Sequence, residues 1–162
     1  MRRMTANRSA RVRSAARILL GGALVVAGIG HLTFARVTFQ AHVPTWLGLD
    51  KNLVVILSGF VEIALGTALI VVRRRRALLG LAAGLFFIAV FPGNISQYVD
   101  HHDAFGLNSD GARRTRLLFQ PVLVALAWWS TDAITALRRG ATTSLAEVRA
   151  QWCITASPTR SS

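Results

Sequence analysis

Cysteine is nearly absent from this 162-residue chain, where Cys153 stands alone. A single cysteine excludes an internal disulfide and a C-x-x-C pair, and with them the chemistry of a disulfide-forming quinone reductase. Acidic residues are also scarce, seven Asp and Glu against nineteen Lys and Arg, for a net charge of +12. In a small soluble protein that balance suggests nucleic acid. Here the positive charge is segregated from long apolar runs, which turns the reading to a membrane and away from nucleic acid.

What the chain does have is four apolar runs. A helix needs about 20 mainly apolar residues to cross roughly 30 Å of hydrocarbon. The runs cover approximately residues 16–35, 53–72, 77–96 and 117–137. The fourth is the weakest, because Trp128 to Asp132 (WWSTD) makes its inner end polar, and the two tryptophans read as interfacial anchors. The expected fold is all-α, a four-helix transmembrane bundle. Residues 1–15 read as a basic tail without order of its own. Residues 138–162 form a second tail, in which Ser144-x-x-Glu147 has the form of a capping box for a short helix through Trp152. The arginine-rich start resembles a signal peptide. However, the apolar stretch is long, no A-x-A site follows, and three more runs come after it.

Arginine placement orients the bundle. With four spans, both termini share a side. Fourteen arginines, in the N-terminal tail, Arg73 to Arg76 and the C-terminal tail, fall on that side, and five basic residues fall on the other. The positive-inside rule then puts both termini in the cytoplasm, with the protein in the cell membrane. The four-arginine link predicts a tight antiparallel hairpin between the second and third spans. The outer loop, 36–52, is semi-apolar, is broken at Val43-Pro44, and lays Trp46 and Leu47 along the membrane surface.

Polar residues inside these runs are few. Glu62 is the only charge between Leu53 and Val72. A charge at the bilayer centre costs at least about 2.5–3.5 kcal/mol on the lenient insertion scale. At a 1.5 Å rise per residue Glu62 lies about 13 Å from the outer end of its helix. His31, Asn94, Arg116 and Gln120 fall in the same outer half. Ala23, Ala27 and Gly28 accompany His31, and Ser58, Gly59 and Gly66 accompany Glu62, so both polar residues belong to small-residue contact faces. Gly80-x-x-x-Gly84 in the third run reads as ordinary packing. Glu62 has two readings: a group that handles a proton or ligand, or a neutral, hydrogen-bonded acid that locks the bundle. Asn94 and Gln120 suit helix-to-helix bonding, and Arg116 suits an interfacial anchor.

Taken in order, "GIGHLTF", "LSGFVEIALG", "RRRR" and "AVFPGNI", with Arg116 followed by Gln120, resemble the DoxX-like family of small four-helix integral membrane proteins. The resemblance covers roughly residues 17–131. It implies the four-helix fold and a link to membrane redox complexes and thiol-stress responses. The family takes its name from a small subunit of an archaeal thiosulfate:quinone oxidoreductase.

The residues exclude several chemistries. A bis-histidine haem needs two ligands in the bundle, and only His31 qualifies. Asp100 to Asp103 (DHHD) has no recognised metal spacing, so no metal site is expected. No nucleophile stands with a base, and no covalently bound cofactor is expected. A quinone suits what remains: His31 and Arg116 as donors, Glu62 as a proton relay, and apolar walls. The expected function is a small subunit or accessory factor of a quinone-linked membrane redox system, with the electron donor on a partner enzyme subunit. The alternative is a non-catalytic scaffold or small carrier whose polar cluster is structural. The orientation is testable through the lone thiol. A maleimide that cannot cross membranes should label Cys153 in inside-out vesicles but not in intact cells, and the opposite pattern would put the C-terminus outside.

Overall fold

The computed structural model describes residues 2–40, 43–99 and 110–140. All regular structure among these residues is helical. The elements are α1 (Arg2–Leu32), α2 (Arg36–Gln40), a 3-10 turn at Thr45–Leu47, α3 (Lys51–Val71), α4 (Arg76–Val99), α5 (Asp110–Ser130) and α6 (Ala133–Gly140). Three helices are long and apolar enough to cross a membrane, over Asn7–Leu32, Lys51–Val71 and Arg76–Ser96. The bent pair α5–α6 makes a fourth if counted as one span. Their outward side chains, Leu19, Val26, Phe60, Leu78 and Leu85 among them, are exposed and apolar, as a helix surface facing hydrocarbon is.

The helices associate as two close pairs, α1 with α3 and α4 with α5, which meet each other more loosely. This corrects the expected hairpin of the second and third spans. The Val72 to Arg75 link is short, yet α3 and α4 have few contacts. Close backbone approach decides the pairing, because packing in lipid depends on it. Gly21 faces Gly66 and Gly28 faces Gly59, seven residues apart on each helix, with the chains antiparallel. A Cβ on Gly28 would lie 2.6 Å from the Gly59 carbonyl oxygen, and one on Gly66 would lie 2.5 Å from that of Gly21. Gly80 and Gly84 of α4 act differently. They receive the side chains of Thr131 and Trp128 from the end of α5, which a Cβ at either glycine would overlap. The Gly80-x-x-x-Gly84 motif is therefore a packing motif, but for side chains, with Trp128 packed at Gly84. Leu20, Leu24, Leu69, Ala83, Phe87 and Ala127 fill the centre between the pairs.

Three further features differ from the sequence expectation. α1 begins at Arg2, so the described part of the 1–15 tail is helix. Between Arg2 and Ala16 there is no glycine or proline, and Ala, Arg and Met, all good helix formers, outnumber the weaker Thr5, Asn7, Ser9, Val12 and Ser14. The fourth run is not one helix over 117–137. α5 starts at Asp110 and stops at Ser130, Asp132 adopts φ 59°, and α6 departs at 63°. A left-handed residue ends an α-helix, and Asp tolerates that conformation better than most. Finally, α1 stops level with the middle of α3, since Gly28 already faces Gly59. The N-terminal half of α3 is faced instead by α2, whose Gln40 Nε2 donates to Asn52 Oδ1 at 3.2 Å. The tail beyond Gly140, with Cys153 and the Ser144–Glu147 box, and the DHHD stretch lie outside the described residues.

Gly28→Ala should destabilise the protein by about 1–3 kcal/mol, the cost of overpacking a close contact. Gly22→Ala, whose Cβ would meet nothing within 4 Å, should not. Thermal unfolding of the two variants in the same detergent checks the contrast.

Candidate functional site

Glu62 is buried in α3, and what meets it is His31 in the last turn of α1. His31 Nδ1 and Glu62 Oε2 are 2.6 Å apart, and each side chain is 10% exposed. The glycine contact explains the meeting. A Cβ at Gly59 would lie 2.9 Å from the His31 Cβ and one at Gly28 would lie 3.1 Å from the Glu62 Cβ, so each polar residue sits over the glycine of the other helix. The pairing removes the main objection to a buried carboxyl, since a buried ionisable group is tolerated when it is hydrogen-bonded to a partner. Phe39 of α2 lies on the imidazole, with ring centroids 3.5 Å apart and planes at 37°.

A second polar group forms between α4 and α5. Asn94 Nδ2 donates to Gln120 Oε1 at 3.0 Å, and Gln120 Nε2 donates to the Phe87 carbonyl at 2.6 Å. Gln120 is buried and Asn94 half-buried. Pro92 in α4 has no N–H to give the Ile88 carbonyl four residues back, next to the Phe87 carbonyl that Gln120 reaches. Gln120, one residue before Pro121 in α5, donates to the neighbouring carbonyl.

Between the two helix pairs lies a cavity of about 630 Å³. All five polar residues singled out from the sequence line it: His31 and Glu62 from one pair, Asn94, Arg116 and Gln120 from the other. Arg116 is half-buried. Ser58, one turn before Glu62, joins the first group, with its hydroxyl bonded to the Val55 carbonyl at 2.9 Å. The rest of the wall is largely apolar, with Leu24, Phe86, Phe87 and Phe119 prominent, and Pro44, Trp46 and Leu47 of the linker border it. Its volume lies within the roughly 300–1,000 Å³ range of small-molecule pockets, and an apolar wall with a few convergent polar groups is their usual form.

The sequence did not point to two features. One is Phe39, which falls in the expected 36–52 loop, where an aromatic residue eight positions after a buried histidine is a weak signal at best. The other is a polar knot at the opposite end of the molecule. The Asp132 carboxylate accepts from Arg13 of α1 and, at 3.0 Å, from Arg76 Nη2 of α4. The Arg13 guanidinium also lies 5.7 Å from the Trp129 ring centroid. Arg17, buried, donates from Nη1 to the Leu69 carbonyl at 2.5 Å and caps the end of α3. Read only as topology charges, these arginines concealed their contacts. An acid among so many arginines was the available signal. Among the described residues, no three His, Cys, Asp or Glu side chains are grouped to hold a metal.

Fold and site together define an all-helical protein of long apolar helices around a polar-lined cavity. Within that class, the chain belongs to the family described as a domain of unknown function (DUF8561), which matches it over residues 20–131. No curated protein and no solved structure matches it. The matched segment holds the five polar residues, whereas the start of α1 and the whole of α6 lie outside it.

Glu62→Leu should destabilise by about 1–3 kcal/mol, because it leaves a buried imidazole nitrogen without its partner. Glu62→Gln, which keeps a hydrogen-bonding group in place, should unfold close to the wild type. Equal melting temperatures for Leu and wild type would mean that the pair contributes nothing to stability.

Proposed function

We propose that this protein is a four-span membrane bundle, with both termini in the cytoplasm, that binds a quinone in its central cavity and serves a membrane redox system as a small subunit or accessory factor. One observation carries the reading: five polar residues, spread over four helices in sequence, converge on one apolar cavity. The likeness of "GIGHLTF", "LSGFVEIALG" and "AVFPGNI" to the DoxX-like family supports the redox connection. The gathering of Arg13, Arg17, Arg76 and the end of α3 at one end of the molecule supports the orientation.

The residues present fit the headgroup of a quinone. The amides of Asn94 and Gln120 and the guanidinium of Arg116 offer donors on one side, and His31 does so on the other. When bound, a quinone supplies a two-electron, two-proton carrier soluble in the bilayer. His31 and Glu62 are suited to hold and pass a proton, since imidazole and carboxyl stay hydrogen-bonded to each other in either protonation state. Phe39 against the imidazole limits access of water to the pair. Electrons must come from a partner enzyme. The scaffold or carrier reading also has an observation in its favour: His31 bonds Glu62, and Gln120 bonds both Asn94 and Phe87, so much of the polar cluster satisfies itself.

Protein purified gently from its native membrane, extracted and examined by mass spectrometry, decides between them. Stoichiometric quinone in the wild type, lost in Glu62→Gln and His31→Ala while both remain folded, is the expected result. No quinone in a stable wild type would reject the direct site and favour the scaffold or carrier.

A further inference from the structure

We propose that α6 is an interfacial helix which, with the arginines around it, seats this end of the protein on anionic phospholipid headgroups. The direction of α6 is imposed by the fold. Thr131 is fully buried, inserted at Gly80, and Ala133 is fully buried on the other side of the turn. Between them Asp132 takes φ 59° and is held by Arg13 and Arg76. The chain therefore leaves α5 at 63° instead of continuing along it.

What α6 then presents is apolar and cationic at once. Ile134 and Leu137, 43% and 53% exposed, lie three residues apart on one face and are followed directly by Arg138 and Arg139. That combination of an exposed apolar edge with flanking cations belongs to helices lying in the headgroup layer. The neighbourhood has the same sign. Arg8 and Arg11 are exposed on α1, and Arg73, Arg74 and Arg75 are exposed in the link between α3 and α4. Asp132 is the one acid of this end among the described residues, and two arginines already share it. The surface consequently attracts phosphate-bearing anions. The exposed apolar side chains, Val12 and Leu19 of α1 included, select a lipid leaflet over a soluble polyanion, which offers them no hydrocarbon. This inference does not depend on what the cavity binds.

The test uses the full chain, purified in a mild non-ionic detergent and titrated with phosphatidylglycerol or with phosphatidylcholine of the same acyl chains. Native mass spectrometry counts the retained lipids. Preferential retention of phosphatidylglycerol is expected, falling by about tenfold in the triple variant Arg73→Gln, Arg74→Gln, Arg75→Gln, since each arginine near a charged surface adds to the attraction. Ile134→Ser with Leu137→Ser should weaken retention of both lipids. All five positions are exposed, so circular dichroism should match the wild type. If a variant fails to fold, salt titration of the wild type replaces it: the preference should fade toward 0.5 M, where screening shortens the interaction to about 4 Å. Equal retention of the two lipids by the wild type would overturn the proposal. So would a preference untouched by the variants and by salt, or tight binding of a short RNA or acidic peptide that phosphatidylglycerol does not displace.

Discussion

Backbone contact between α1 and α3 is the constraint on which the rest depends. Two glycines on each helix, seven residues apart, let carbonyl oxygens sit where side chains would otherwise be. Between helices that stand in lipid no hydrophobic effect draws them together, and packing at such short range supplies the attraction. The same contact sets the register. Gly28 makes room for Glu62 and Gly59 makes room for His31, so the two side chains meet across the contact and the carboxyl acquires the partner that makes its burial tolerable. Pairing of α1 with α3 and pairing of His31 with Glu62 are one event.

The second pair is built on another principle. α4 offers glycine notches, and α5 fills them with Thr131 and Trp128. Each pair is dense within itself. The looser seam between them is filled at its centre by leucine, alanine and phenylalanine and left open farther along, where the cavity lies. One wall of that cavity contributes a titratable couple, and the opposite wall contributes amides and a guanidinium. Asp132 links the pairs at the far end, taking hydrogen bonds from α1 and from α4 at the point where α5 ends.

Much of this was legible in the sequence. The helices from Lys51 and from Arg76 follow from unbroken apolar runs, and the five cavity residues stood out because polar groups are rare in such runs. Depth along each helix was enough to group them, since the rise per residue is fixed. Which helices pair was not legible. A short link between α3 and α4 suggested adjacency, but the outcome turned on which glycines could meet, a property of two faces at once. Charge was the other blind spot. Arginines counted for topology hid the particular bonds of Arg13, Arg17 and Arg76. The end of α5 was obscured too, because Trp128 and Thr131 look like interfacial residues until the notches opposite them are known.

The early end of α1 bears on how the family can vary. Because that helix stops level with the middle of α3, one side of the cavity is bordered by Phe39 of the short α2 and by Val43, Pro44, Trp46 and Leu47 instead of by a long packed helix. Glycine contacts hold the helical framework to a narrow set of residues, whereas a connecting segment tolerates replacement and changes of length. A protein built this way can diverge in what it admits by rewriting about one linker, while the framework that carries its buried couple stays as it is.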